Sequence, residues 1–578
     1  MSHNRKIWAI VSMLVIATLL MTACAPAAAP ATPAPAPTTA PAPTTAPAPT
    51  TAPAPTTAPA AQLMKKAAPD CSYGGEMKSI EAVDASTVKF TLCTPDPAFL
   101  YKVAFGSLNI QSANYLQQTG GGGKGSALLN KPLGTGPYML KEWVPGDHIT
   151  LVANPNYWGT APKTGTVIIK WGDSAARLTS LKSGEIDGID NVNKDDFATV
   201  TADPALKLYP RDPSLNVGYV GFNNTVPPFD NVKVRQALAI GIDRQALLKK
   251  FFPPGSTLAD YFTPCPILGG CEGNPWPKYD LPAAQKMLAD AGVKPGTKLV
   301  LSYRDVDRAY FPTQGKVAEE VQAQLKQLGF DVTLDKQESG TYLSNASNGK
   351  LQIYILGWLA DYPDQSDWVY YHFGAGASAQ FGKKFDDLVA AIDKADTTFD
   401  PATRKTLYAT VNNLILQYAP MVPVATGASA VAFKASVQGA HASPLNQETF
   451  SVMQIPNQNQ LVFSQNGEPP GLYCADETDG EAFRVCTQIF DSLYAYKTGG
   501  IDAIPNLADS CTANADGTEW TCKLHKGVKF SDGTLLTAND VVETYAVQWD
   551  AADPLHTGNT GDFTYWPGLF GAFLNAKK

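Results

Sequence analysis

The sequence predicts an α/β protein of more than one lobe, and three observations carry that prediction. The chain has 578 residues, enough for about three or four domains at roughly 150 residues each. Hydrophobic residues make up 44% and charged residues 17%, so sizeable cores can form. Strand-like alternation and helix-like spacing also succeed one another along the chain. Val167-Ile168-Ile169 is an apolar run suited to a buried strand. Leu299, Leu301 and Tyr303 alternate as in a strand. Val317, Val321, Leu325 and Leu328 then recur at helical spacing, with Gly329 placed to cap the helix end. Phe330, Val332 and Leu334 alternate again, which completes a strand–helix–strand unit. Residues 353–356 are a second buried-strand run. Asp400-Pro401 is a helix start, followed by Leu407, Val411, Leu414 and Tyr418 on one face. Thr537 and Asp540 form a capping box that opens another helix.

Charge and motif content exclude several classes. Lys and Arg number 45 against 53 Asp and Glu, a net charge of −8, and no basic run is long enough to track phosphates. Both facts argue against a nucleic-acid binder. Residues 119–126 (TGGGGKGS) fail the phosphate-loop spacing: Gln118 stands where the first Gly belongs and Gly125 follows the Lys. They read as a flexible surface loop. There is no Gly-x-Ser-x-Gly elbow and no His-Glu-x-x-His helix, and the six histidines are scattered. No enzyme activity, cofactor or metal site is expected. A secreted hydrolase would need a nucleophile or an acid/base dyad, and no residues are singled out for one.

The N-terminus reads as an address. Arg5 and Lys6 precede an apolar run at residues 7–21, and Thr22-Ala23 precede Cys24, the pattern of a secretory signal. The cysteine after small residues resembles a bacterial lipobox, which makes residues 1–24 a lipoprotein signal peptide and Cys24 the lipidated residue. Met21 stands where that motif usually has Leu. An uncleaved membrane anchor is the other reading, although the run is shorter than the roughly 20 residues a spanning helix needs. Residues 25–64 read as a Pro/Ala/Thr-rich disordered stalk. Residues 25–61 contain only Ala, Pro and Thr, which cannot drive a core and favour extended polyproline II. The expected body is therefore extracytoplasmic and touches the membrane through its lipid anchor only. A cell-surface adhesin on a stalk would carry the same N-terminus.

The remaining cysteines, Cys71, Cys93, Cys265, Cys271, Cys474, Cys486, Cys511 and Cys522, are even in number and in an exported context, so disulfides are expected. Cys511 and Cys522 flank a hairpin turning at Asp516-Gly517, Cys265 and Cys271 enclose a short loop, and Cys71/Cys93 and Cys474/Cys486 are the other local pairs. A zinc site needs tighter pairs and neighbouring His.

Several blocks resemble the extracytoplasmic solute-binding proteins of ABC transporters, in the oligopeptide/dipeptide-binding family (family 5). They are residues 517–542 (GTEWTCKLHKGVKFSDGTLLTANDVV), 133–138 (LGTGPY), 154–159 (NPNYWG), 181–187 (LKSGEID), 219–223 (YVGFN), 234–244 (VRQALAIGIDR) and 357–364 (GWLADYPD). The segment like 461–578 comes first in the family and last here, which is the order of a circular permutant; a rearranged or misassembled reading frame gives the same order. The resemblance implies a two-lobed periplasmic-binding-protein-like fold with a hinge and an additional domain. Mapped onto this order, domain I is 131–223 plus 422–496, domain II is 77–130 plus 497–578, and domain III is 224–421.

The same resemblance implies a monomer that closes on an oligopeptide or dipeptide and delivers it to the permease subunits of an ABC importer; some family members bind sugars, nickel complexes or other solutes. Asp361 matches the family's carboxylate for the peptide ammonium. A turn or cap role stays open for it, and Asp364 and Asp367 lie close enough to play either part. Trp358 and Tyr362 are candidate cleft-wall aromatics, with core packing the competing role. Tyr219 and Asn223 are candidates near the hinge or cleft. No cation for a ligand carboxylate is singled out; Arg304 and Arg308 lie in the right lobe, with surface exposure the default.

Overall fold

A computed structural model describes residues 62–304 and 306–576. The signal, Cys24 and the stalk to residue 61 lie outside the described residues. The strand–helix–strand unit forms as the alternation predicts. Thr297–Arg304 and Phe330–Gln337 pair in parallel along eight registered positions, connected by the Gln314–Gln327 helix. Asp400 caps the Pro401–Tyr418 helix by accepting from the Thr403 amide at 2.8 Å. The Thr537/Asp540 box opens Ala538–Trp549. Disulfides join Cys71–Cys93, Cys265–Cys271, Cys474–Cys486 and Cys511–Cys522, the local pairs expected from spacing.

Around these elements the chain builds two lobes. One is organised on a six-stranded sheet, ordered Thr257–Leu258, Met421–Thr426, Asn216–Phe222, Ile353–Leu359, Thr297–Arg304 and Phe330–Gln337. Asn216–Phe222 is buried along its whole length. Val220 and Phe222 enter one core and Val217 and Tyr219 the other, so helices cover both faces. Gly221 lets the Tyr354 ring lie against the backbone; a Cβ there would meet that ring at 2.4 Å.

The other lobe carries a seven-stranded and a five-stranded sheet that share one hydrophobic core. The five-stranded sheet is assembled from both ends of the chain. Thr87–Leu92 pairs antiparallel with Glu519–Leu524, placing Phe90 opposite Trp520. Nearby, the Ala113 amide donates to Asp540 at 2.9 Å, and the Phe90 ring meets Tyr545 edge-on at 5.2 Å.

Two findings differ from the sequence reading. Residues 62–64, assigned to the stalk, are tied down by Asn539, which accepts from the Met64 amide and donates to the Gln62 carbonyl, both at 2.9 Å. The glycine run at 120–123 is not a free surface loop: Gly121 and Gly122 are buried. A Cβ on Gly122 would meet the Tyr473 ring at 2.1 Å, so close packing is what demands glycine there.

The lobes are joined where two chain segments run side by side. Leu206–Pro210 pairs with Ala430–Lys434 in one lobe, and Asn216–Phe222 pairs with Met421–Thr426 in the other. Between them the Arg211 amide donates to the Ser429 carbonyl at 2.8 Å. Asn216 brackets Gly427, donating to its carbonyl at 2.7 Å and accepting from its amide at 2.9 Å. A pair of short crossings of this kind is a hinge geometry.

Arg211 also anchors the hinge in a buried charge network. Its guanidinium reaches Asp190 and Glu448, both at 2.7 Å. Arg484 reaches Asp190 at 2.9 Å and Glu448 at 3.1 Å. Two cations and two anions balance, with every side chain at most 2% exposed. Glu448→Ala leaves one positive charge buried and uncompensated, and should destabilise the protein by about 3–5 kcal/mol. Urea unfolding checks this; a loss below about 1 kcal/mol would show that water or relaxation replaces the carboxylate.

Candidate functional site

The turn after the Ile353–Leu359 strand carries three aspartates, and the structure gives each a different role. Asp364 is buried and takes the Arg404 guanidinium bidentately, at 2.6 and 2.8 Å. Burial alone would raise its pKa, but Arg404 outweighs that and holds it below the ordinary value. Asp364 is thus consumed by a structural ion pair.

Asp361 and Asp367 have no such partner: among the described residues no Lys, Arg or His forms an ion pair with either. Asp367 lies in the first turn of the Ser366–Phe373 helix, is 3% exposed, and accepts the Asp361 amide at 3.0 Å. Asp361 is only partly exposed and accepts a hydrogen bond from the Tyr565 hydroxyl at 3.2 Å. Desolvation pushes its carboxyl up to about 7, against a smaller lowering by Tyr565. Asp367 is raised well above the carboxylate range, by burial first and then by the charge of Asp361.

Rings from both lobes wall this pair. Trp358 packs on the half-exposed Tyr371 ring at 4.1 Å. Its indole N–H lies near Asp367 and eases that carboxyl's pKa slightly, but no hydrogen bond of good geometry forms. From the opposite lobe come Tyr565, which meets Phe105 at 4.7 Å and Phe483 at 5.6 Å, and Tyr496, whose hydroxyl donates to the Tyr101 carbonyl at 2.8 Å. The arrangement places two carboxyls without a cation partner among aromatic rings at the lobe junction, a chemistry suited to a desolvated organic cation.

The other sequence candidates fall elsewhere. Tyr362 is 3% exposed and inserts into the core of the opposite lobe, with its hydroxyl 3.1 Å from Ser366 Oγ. It is a lobe–lobe contact rather than a cleft wall. Tyr219 is 1% exposed and accepts from Gln380 at 2.7 Å. Asn223 is 2% exposed and donates to the Gly349 carbonyl at 2.7 Å. Tyr219 sits on a strand covered on both faces, and Asn223 follows that strand's last residue, so both are buried in the six-stranded lobe, on the segment that enters it from the hinge crossing. Arg304, expected at the surface, is buried and donates to Ser339 Oγ and the Tyr310 hydroxyl at 2.8 and 2.9 Å. Arg308 is exposed. Sequence reasoning missed Tyr371, Tyr496, Tyr565, Phe105 and Phe483 at the site. Tyr371 alone had a local signal, lying one turn beyond Asp367 on the same helix.

Two α/β lobes on a double crossing, with acids and aromatic rings meeting at their junction, define the class of two-lobed solute-binding proteins. The chain belongs to the family "Bacterial extracellular solute-binding proteins, family 5 Middle", which its residues 32–380 and 502–563 match. It is 30% identical over 379 residues to di/tripeptide-binding protein 1 of Pseudomonas aeruginosa, covering 64% of this chain and 70% of that protein. It is also 30% identical over 379 residues to heme-binding protein A of Haemophilus influenzae, covering 65% and 69%. Among solved structures it is similar to the periplasmic binding protein DppA of Helicobacter pylori in complex with the peptide STSA. That match has a TM-score of 0.58, 27% identity, and coverage of 66% of this chain and 74% of that one. Members of this family are transport binding proteins rather than enzymes, which sets aside the hydrolase reading. No helix among the described residues is long and apolar enough to cross a membrane.

Proposed function

We propose that this protein captures short peptides by their N-terminal ammonium at Asp361, as the lobes close, and delivers them to the permease of an ABC importer. The observation that carries this reading is the Asp361 carboxylate, which has no cation partner and sits between rings from both lobes. A peptide ammonium supplies the missing charge. The relatives named for di/tripeptide and dipeptide binding support a peptide over other solutes.

The protein is proposed to act as a monomer, tethered through lipid at Cys24 with residues 25–61 as spacer. Its domains are proposed as 131–223 plus 422–496 (I), 77–130 plus 497–578 (II) and 224–421 (III), in permuted order. The pairing of Thr87–Leu92 with Glu519–Leu524 supports a domain II stitched from both chain ends.

Native mass spectrometry of protein purified without added ligand tests the ligand class. A heterogeneous set of adducts that release as short peptides is expected. A single non-peptide adduct, such as a haem or a metal complex, would move the assignment to another solute.

A further inference from the structure

One buried titratable group at the site has no part in that reading: Asp367. We infer that Asp367 is a specificity-determining positioning residue for the ligand's cation. It fixes the turn that presents Asp361, and it adds a second carboxyl with no cation partner among the described residues, whose proton a cationic ligand displaces. This rests on the reading of Asp361 as the cation site.

The geometry supplies both halves. Asp367 accepts the Asp361 amide at 3.0 Å, so its carboxylate sets the backbone direction at the residue that meets the ligand. Among the described residues, no positive side chain from a packed element pairs with this carboxyl. From its own helix come Tyr371 and His372; His372 is buried and, through desolvation, falls to about 4, so it is neutral. From the preceding strand comes Trp358. From the turn come Asp361, Tyr362 and Asp364, the last neutralised by Arg404. Tyr496 and Tyr565 face it from the opposite lobe, and burial raises the pKa of each, so both are neutral. Lys102, on the opposite lobe, is held by Glu76 and Asp96 at 3.0 and 2.9 Å. The helix N-terminus favours an anion at Asp367, but burial and the neighbouring carboxylate outweigh it. Two acids without a cation share protons until a cationic ligand arrives.

Asp367→Asn keeps a side-chain oxygen for the Asp361 amide and removes the charge; Asp367→Ala removes both. Two readouts are taken on the full chain: the infrared titration of 13C-aspartate carboxyls without ligand, and the affinity for trialanine against pH. In Asp361→Asn the Asp367 midpoint should fall by about one pH unit, because after burial the charge of Asp361 is what raises it, and in Asp367→Asn trialanine affinity should fall by roughly tenfold. Asp367→Ala should lose more affinity than Asp367→Asn. An unmoved midpoint overturns the charge role, and equal affinities in Asn and Ala variants overturn the positioning role. If wild type ignores trialanine while the midpoint still moves, the coupling of the two acids stands and the peptide reading falls. Should both variants fail to fold, calorimetry of the wild type decides. Trialanine binding near neutral pH should release protons, seen as a buffer-dependent heat, and no release overturns the inference.

Discussion

Asp361→Asn is expected to lose peptide affinity by about 3–5 kcal/mol, roughly 140- to 4,000-fold in Kd, without loss of fold. The affinity arises from a ligand ammonium buried against the Asp361 carboxylate, and asparagine offers it only a dipole. The empty site behaves in the opposite way. Desolvation raises the Asp361 carboxyl to about 7, so the folded protein binds this proton more tightly than the unfolded chain does. The stability this adds is full below the ordinary carboxylate pKa and is lost as pH rises through about 7. Asp361→Asn removes that slope, and the empty variant should melt no lower than wild type at pH 8. Wild-type affinity should rise from pH 5 to about 7 as the carboxylate forms. It should fall again once the ligand's α-amino group, ordinarily near 8, loses its proton. Calorimetry across that range, alongside an N-acetylated control peptide, checks both limbs. Equal binding of acetylated and free peptide would remove Asp361 from the ligand contact.

Much of the fold was legible because its signals are local. The 299–334 alternation, the Asp400-Pro401 start and the Thr537/Asp540 box each sit within a few residues of the structure they specify. The same holds for the four disulfides, whose partners are 6 to 22 residues apart. The site was legible only on one wall. Asp361 and Trp358 stand together in sequence, but Tyr565 comes from 204 residues away, and no spacing rule reaches that far. The burial of Tyr219 and Asn223 was not legible for a related reason. A strand covered on both faces and a strand at a cleft edge read alike, and only the helices packed on each side tell them apart. Asp367 was legible only as an alternative to Asp361, because an acid in the first turn of a helix is ordinary capping chemistry. Its lack of a cation becomes visible only when every neighbouring element is in place.

Truncation after Asp509 should abolish both cooperative unfolding and binding. The deletion removes Glu519–Leu524, one of the two antiparallel partners of Thr87–Leu92. It also removes Trp520, Tyr545, Trp549 and Trp566, exposed by 6%, 0%, 0% and 1%. Four such rings bury on the order of 800 Å². At about 25 cal/mol per Å² that is roughly 20 kcal/mol as an upper bound. A whole domain is typically stable by only about 5–15 kcal/mol, so the remaining half of the five-stranded sheet cannot hold. The loss reaches the ligand pocket directly, because Tyr565, the hydrogen-bond donor to Asp361, lies in the deleted segment. The six-stranded lobe keeps its own two cores, so the truncated chain should show a residual folded fraction by circular dichroism, with a broad, shallow melt. A sharp, wild-type melt with intact peptide binding would show that the two chain ends do not depend on each other. It would remove the proposal that one domain is stitched from both of them.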